Sequence, residues 1–232
     1  MSLPRTIEEL AKRIDHTNVK PASSKQDIIR TIDEAIKYRF RAVCIPPIWV
    51  PLAKERVRNS GVLVVTVVGF PWGYVDTEIK VMEAKWAIQR GADEIDMVMN
   101  ISAFKSKDYE RVREDIEAVV NAIKPKPVKV IIETGFLSRE EIERAAKLVM
   151  DGGAHFVKTC TGFGPRGASI EDIRIIKRVV GDEIKIKAAG GIRDAEKALM
   201  MIKAGADVIG TSSGVKILET FSLDILKKVI KS

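Results

Sequence analysis

The sequence predicts an α/β protein whose strands close into a (βα)8 barrel, with a short helix before the first strand and a closing helix after the last. Three observations carry this. Short apolar, β-branched runs alternate with longer amphipathic segments, and eight such units fit in 232 residues, a length typical of one such barrel. The strand runs are almost continuously apolar, as in a parallel sheet covered on both faces. One turn also recurs: Gly91-Ala92-Asp93, Gly153-Ala154-His155 and Gly205-Ala206-Asp207 each close a helix and open a strand. An open doubly wound sheet is the alternative. The glycines after the strands do not form a spaced GxGxxG, which counts against its dinucleotide-binding version. Residues 1–232 therefore read as a single TIM-barrel domain.

Residues 5–13 read as the leading helix, with Thr6 as cap and Glu8 and Glu9 in its first turn. Strand one is 14–17 and ends in polar residues. Ser24 caps a helix to about 38, because Ile28, Ile29, Ile32, Ala35 and Ile36 fall on one face. Strand two, 42–45, is stopped by Pro46 and Pro47. A helix over 49–59 ends at Gly61, and 62–68 is the third strand. After the loop 69–73 comes a helix over about 76–90, closed by Gly91. Strand four is 94–99, and the helix 108–123 is broken by Pro125 and Pro127. Strand five is 128–133. Ser138 caps a helix to 150, with Glu141 as its capping-box partner. Strand six is 155–158, followed by a helix from Ser169 to 180 and strand seven at 184–187. Asp194 caps a helix ending at Gly205, strand eight is 207–209, and helices over 212–220 and 222–230 close the chain.

Composition narrows the function. A net charge of +7 invites a nucleic-acid partner, but basic residues are mixed with acidic ones, as in Arg111-Val112-Arg113-Glu114-Asp115, and aromatics are few. That is the pattern of a solvated helix face, so no nucleic-acid partner is expected. Two cysteines, Cys44 and Cys160, and two histidines make neither a disulfide framework nor a metal centre. No metal is therefore expected. Nothing resembles a signal peptide or a membrane span, so the expectation is a cytoplasmic protein without a membrane partner.

In such a barrel the chemistry lies at the C-terminal strand ends. The polar residues expected there are Asp15, Asp96 with Asn100, Glu133, Lys158 and Lys187. Strand alternation sharpens the list. If Lys158 faces the interior, His155 faces the helices and is structural. If Lys187 faces inward, so does Lys185, which must snorkel through the barrel bottom unless the strand bulges. Two lysines on adjacent strands, with Asp96 between them, are unusual. Each raises the cost of protonating the other, and burial adds to this. One then attacks an aldehyde to form a Schiff base. Phosphate is the second signal. Ala189-Gly190-Gly191-Ile192-Arg193 follows strand seven, and Gly210-Thr211-Ser212-Ser213-Gly214 follows strand eight and opens a helix. Barrels commonly bind phosphate there through backbone N–H groups, hydroxyls and a helix start.

These residues carry a resemblance. The segments are Ile14-Asp15-His16-Thr17, Ala42-Val43-Cys44-Ile45, Val68-Gly69-Phe70-Pro71-Trp72-Gly73, Glu94-Ile95-Asp96-Met97-Val98 and Val130-Ile131-Ile132-Glu133-Thr134. With them go Phe156-Val157-Lys158-Thr159, Thr161-Gly162-Phe163-Gly164, Ile186-Lys187-Ala188-Ala189-Gly190-Gly191-Ile192-Arg193 and Gly210-Thr211-Ser212-Ser213. Together they resemble the deoxyribose-phosphate aldolases, class I aldolases, from about Ile14 to the final helix. The resemblance implies a lyase of carbohydrate degradation that needs no cofactor. It implies reversible cleavage of 2-deoxy-D-ribose 5-phosphate to acetaldehyde and D-glyceraldehyde 3-phosphate. It implies Lys158 as the Schiff-base lysine, Lys187 as the lysine that keeps it unprotonated, and Asp96 as part of the proton relay. Asp15 would support the lysines and the substrate hydroxyls, Thr17, Thr161, Gly190, Gly191, Arg193, Gly210, Thr211, Ser212 and Ser213 would bind the sugar phosphate, and the expected assembly is a homo-oligomer. The family often has serine where this chain has Cys160, which is taken to fill space. Some members carry a lysine at the place of Phe163 that helps bind phosphate, and here the two glycine loops take over its task. Another phosphosugar enzyme without a covalent intermediate, or a non-catalytic phosphosugar binder, are the alternatives.

Overall fold

The computed structural model describes residues 3–231, so Met1, Ser2 and Ser232 of the expected 1–232 domain lie outside the described residues. The elements run α1 (Ile7–Ala11), β1 (Ile14–Thr17), α2 (Lys25–Lys37), β2 (Ala42–Ile45), α3 (Val50–Arg56), β3 (Leu63–Val68), α4 (Thr77–Gln89) and β4 (Glu94–Val98). They continue with α5 (Ile101–Lys105), α6 (Tyr109–Ile123), β5 (Val128–Ile131), α7 (Arg139–Asp151), β6 (Phe156–Lys158), α8 (Ile170–Val180) and β7 (Lys185–Ala189). Last come α9 (Ala195–Ala204), β8 (Val208–Thr211), α10 (Gly214–Glu219) and α11 (Leu223–Lys231). The eight strands pair in parallel in chain order, and β8 returns to β1, so the sheet is a closed barrel.

The helices begin where their caps predict. Ser24 with Asp27, Ser138 with Glu141 and Ser169 with Asp172 form reciprocal capping boxes, each satisfying two backbone donors that the first turn leaves unpaired. Thr6, Asp76 and Asp194 cap through their side chains as well. Boundaries differ where local chemistry intervenes. The segment expected as a helix over 49–59 starts as a 3-10 turn, Pro47–Trp49, before α3. Strand five stops at Ile131, because Glu133 takes a left-handed conformation at φ +51° that leads into a 3-10 turn at Thr134–Phe136. The short α5 was not foreseen. Its cap is Asn100, whose side chain accepts from the Ala103 amide at 3.0 Å. Asn100 is thereby a helix cap instead of a companion to Asp96.

The recurring Gly-Ala-Asp turn has a mechanical cause. The residue that opens each strand reaches across to the start of the preceding one. Asp93 accepts from the Val64 amide at 2.9 Å, and Asp207 accepts from Ile186 at 2.8 Å. His155 does the same with its Nδ1, accepting from the Val128 amide at 3.2 Å. This accounts for His155 as a structural residue at the bottom of the barrel.

The core has two parts. The outer layer, between sheet and helices, is mainly apolar and includes Phe40, Ile95, Met97 and Phe104. The barrel interior is divided. On the β2–β3 side it is filled by Ala42, Cys44, Val65 and Val67. On the other side the inward positions carry charge: Asp15, Asp96, Lys129 and Lys187 are fully buried, and Lys158 nearly so. Buried charges persist only when paired, so this half of the barrel must be an ion-pair network. A second buried pair lies outside the barrel. Lys80 of α4 donates to Asp115 of α6 at 2.6 Å and to the Val98 carbonyl at 3.0 Å.

Candidate active site

Strand register brings the lysines together. Lys158 and Lys187 are directly paired residues of β6 and β7, and alternation points both inward. Asp96 is the shared partner. Its Oδ2 accepts from Lys158 Nζ at 2.8 Å and from Lys187 Nζ at 2.7 Å, while its Oδ1 accepts from Lys129 at 2.9 Å. Lys187 also donates to Asp15 at 2.6 Å. Burial opposes the charge on Lys187, but Asp15 and Asp96 outweigh it and raise the ammonium above its ordinary range. Burial likewise works against the Asp96 carboxylate, yet Lys129, Lys158 and Lys187 hold it well below the usual carboxylate range. Asp15, against the same burial cost, is brought down to about 2 by Lys187, then Arg41 and Lys129.

Above these groups opens a cleft of about 440 Å³, with Lys158 at its floor. β1 contributes Thr17, and the exit of β6 contributes Thr161. The turn after β7 brings Gly190, Gly191 and Arg193, and the exit of β8 brings Gly210, Thr211, Ser212 and Ser213. Asp15, Asp96 and Lys187 lie beneath the cleft, so these residues gather at one mouth of the barrel, whereas Asn100 caps α5 and Glu133 holds Thr161, and neither lines the cleft. Their roles separate, however. The Thr17 hydroxyl donates to the Asp15 carbonyl at 2.8 Å, Thr211 donates to the Ile192 carbonyl at 2.7 Å, and Thr161 donates to Glu133. A hydroxyl has one proton to give, so these three offer a ligand only lone pairs, and they hold the loops in place. The Ser212 and Ser213 hydroxyls and the Arg193 guanidinium have no protein partner among the described residues. Gly190 and Gly191 turn at φ +96° and +71°, a conformation that L side chains rarely adopt, and so let the backbone wrap the end of the cleft. Gly210 serves a different need: a Cβ there would stand 2.9 Å from Lys187 Cε, so it is the gap through which the lysine stem passes.

Cys160 is fully buried, with its sulfur 3.4 Å from the Thr134 hydroxyl, and burial pushes the thiol up to about 11. It fills space and is inert at neutral pH. Lys185 leaves the barrel at its bottom: it is exposed, with its ammonium 5.7 Å from the Phe156 ring centre. Sequence reasoning missed three charged residues below the lysines. Lys129 bridges Asp96 and Glu94, and Arg41 bridges Glu94 and Asp15. The signal for Lys129 was present, a single lysine inside the apolar run Val128-Lys129-Val130-Ile131. Glu94 shares the inward face of β4 with Asp96 by alternation.

A lysine pair on a shared carboxylate, at the C-terminal mouth of a (βα)8 barrel and under a cleft ending in glycine turns, is the equipment of a lysine-dependent aldolase. The chain belongs to the DeoC/LacD family of aldolases, whose family model matches residues 10–220. It is 55% identical over 215 residues to the deoxyribose-phosphate aldolase of Thermococcus kodakarensis, covering 91% of this chain and 96% of the relative. It is 51% identical over 213 residues to that of Thermotoga maritima, covering 92% and 86%. Its fold matches the tetrameric deoxyribose phosphate aldolase structure from Aeropyrum pernix with a TM-score of 0.87 at 32% identity, over 93% of this chain and 92% of that one. No helix of the described residues is long and apolar enough to cross a membrane.

Proposed function

We propose that this aldolase cleaves 2-deoxy-D-ribose 5-phosphate reversibly to acetaldehyde and D-glyceraldehyde 3-phosphate, with Lys158 as the nucleophile. One observation carries the reading: the Lys158 amine stands at the floor of the cleft, 2.8 Å from a buried carboxylate. Lys187 is held as a cation by Asp15 and Asp96 beneath the cleft, and Lys158, which shares Asp96 and faces the cleft, is the amine placed to meet substrate. Its Nζ attacks C1 of the open-chain aldehyde, and loss of water gives an iminium. Water held by Asp96 and Lys187 takes the C3 hydroxyl proton. The C2–C3 bond breaks, its electrons pass to the iminium, and glyceraldehyde 3-phosphate leaves. The remaining enamine is protonated at C2, and water releases acetaldehyde and the free lysine.

The phosphate would sit against the Gly190–Gly191 turn and the β8 exit, with Arg193 as the nearby cation. Phe163 lines the cleft and adds no charge there. Anchoring the phosphate positions C1 over the amine and lends remote binding energy to bond cleavage. The expected homo-oligomer belongs to the same proposal, as does a cytoplasmic location. Its support is the apolar stripe Ile79, Met82 and Trp86 along the solvent face of α4, exposed by 47%, 65% and 38%. Asp76 and Glu78 lie at one end of that helix and Lys85 and Arg90 at the other, so antiparallel pairing of two copies sets opposite charges together.

Borohydride reduction in the presence of deoxyribose 5-phosphate tests the reading. Mass spectrometry should find one reduced adduct per chain, on Lys158. Turnover without any trapped adduct would refute the covalent mechanism.

A further inference from the structure

The charged groups under the cleft form a closed ring that passes through the whole barrel. Arg41 pairs with Asp15 at 2.8 Å, Asp15 with Lys187 at 2.6 Å, and Lys187 with Asp96 at 2.7 Å. Asp96 pairs with Lys129 at 2.9 Å, Lys129 with Glu94 at 2.7 Å, and Glu94 closes the ring on Arg41. Three cations alternate with three carboxylates, so the ring is neutral by itself. Lys158 joins it only through Asp96 Oδ2, an oxygen that Lys187 already uses. A protonated Lys158 is then a seventh charge with no carboxylate of its own, nearly buried at the floor of the cleft, where screening is weaker than in bulk water.

The other titratable groups packed against the ring leave its own count unchanged, and Lys20 and Arg193 are the further cations of the cleft that Lys158 faces. Cys44 faces it from β2, and burial raises its thiol, so it stays neutral. Burial lowers the pKa of His155, which spends Nδ1 on the Val128 amide at the barrel bottom, and it too stays neutral. Lys185 is out in solvent. Glu133, beyond β5, accepts at Oε2 from the Thr161 amide at 3.0 Å and from its hydroxyl, on the side of Cys160. Arg41 sits just before β2 and Glu94 opens β4. Both are therefore at the N-terminal end of the barrel, and neither lines the cleft.

We infer that Arg41 and Glu94 act as positioning residues which, through the charge count of the ring, determine whether Lys158 carries a proton. This rests on the reading of Lys158 as the nucleophile. If Arg41 loses its charge, the ring is left one negative, and the Lys158 ammonium becomes its counter-ion. If Glu94 loses its charge, the ring is left one positive, and the ammonium is expelled more readily. Two substitutions at one ion pair, far from substrate, should then move activity along the pH axis in opposite directions.

The test is the pH profile of kcat/KM, with the rate of borohydride trapping measured alongside. In Arg41→Met the acid limb should move up by about one pH unit, and in Glu94→Gln down by about one, the order of size expected for a unit charge removed beyond direct contact at an intermediate dielectric. The double variant restores neutrality and should return the limb to its wild-type position, and Arg41→Lys should keep it there. A purely structural role would lower activity in all variants without displacing the limb. Shifts of the same sign, no shift, or a double variant that keeps the Arg41→Met profile would overturn the inference. If Arg41→Met does not fold, the downward shift of Glu94→Gln and the unshifted Arg41→Lys decide it. Absence of a trapped adduct in the wild type would instead remove the nucleophile reading itself.

Discussion

Asp15 offers a prediction whose size follows from its surroundings. It is fully buried and accepts from Lys187 at 2.6 Å and Arg41 at 2.8 Å, which together bring its carboxyl from an ordinary 3.8 to about 2. A carboxyl that ionises more readily folded than unfolded stabilises the fold, here by roughly 2 kcal/mol. The sign is that of a depressed acid. Above pH 3.8 both states are ionised and the full contribution is present. As pH falls from 3.8 towards about 2, the unfolded chain binds the proton first, and the contribution is lost. Asp15→Asn has no such group to titrate and leaves the shape nearly unchanged. Urea denaturation of both proteins, from pH 7 down to about 2.5, reads the difference. The wild type should be the more stable by at least roughly 2 kcal/mol at pH 5 to 7, and its advantage should shrink steadily below about pH 4. A gap that stays constant down to pH 2.5 would mean that Asp15 is not the anion holding Lys187, and the charge assignment beneath the cleft would fail with it.

Four other substitutions separate the roles in the site and scaffold. Lys158→Leu should abolish both turnover and the borohydride adduct while inorganic phosphate still binds in equilibrium dialysis within about twofold of wild type, because the phosphate contacts lie elsewhere in the cleft. Two glycines should fail differently. Gly210→Ala drives a methyl to 2.9 Å from Lys187 Cε and should lower kcat by about a hundredfold. Gly190→Ala forces φ +96° on an alanine 3.0 Å from Gly167 and should raise KM for deoxyribose 5-phosphate by about tenfold while leaving the slow cleavage of unphosphorylated deoxyribose unchanged. Steady-state kinetics with both sugars distinguishes the two. Lys80→Met strands the buried Asp115 carboxylate and should cost about 3–5 kcal/mol in urea denaturation, whereas the double change with Asp115→Leu should recover most of that loss.

The sequence carried the fold because each signal was local. A serine three residues ahead of an acid starts α2, α7 and α8, and a glycine closes α4, α7, α8 and α9. The repeated Gly-Ala-Asp turn was visible as a pattern, but its cause, a side chain clamping the neighbouring strand, needed the sheet. The lysine pair was legible because Lys158 and Lys187 each stand alone at the end of an apolar run, where nothing but function or an ion pair holds an ammonium. Alternation also placed His155 correctly. Arg41, Glu94 and Lys129 escaped for a physical reason. Alternation states which residues of one strand share a face, but not how far each strand is staggered against the next. Arg41 lies before its strand, and only the register that pairs Asp15 with Ala42 puts its guanidinium inside the barrel beside both acids. Lys129 reads as a surface lysine until the register sets it opposite Asp96. The stagger that hides these residues from the sequence also makes the ring: a closed barrel brings the first strand to the eighth, so charges from five segments meet and must balance. With the β2–β3 side of the interior apolar and Asp15, Asp96, Lys129 and Lys187 fully buried, little solvent is at hand to absorb an error in that balance. The lysine that remains once the ring is balanced is the one beneath the cleft.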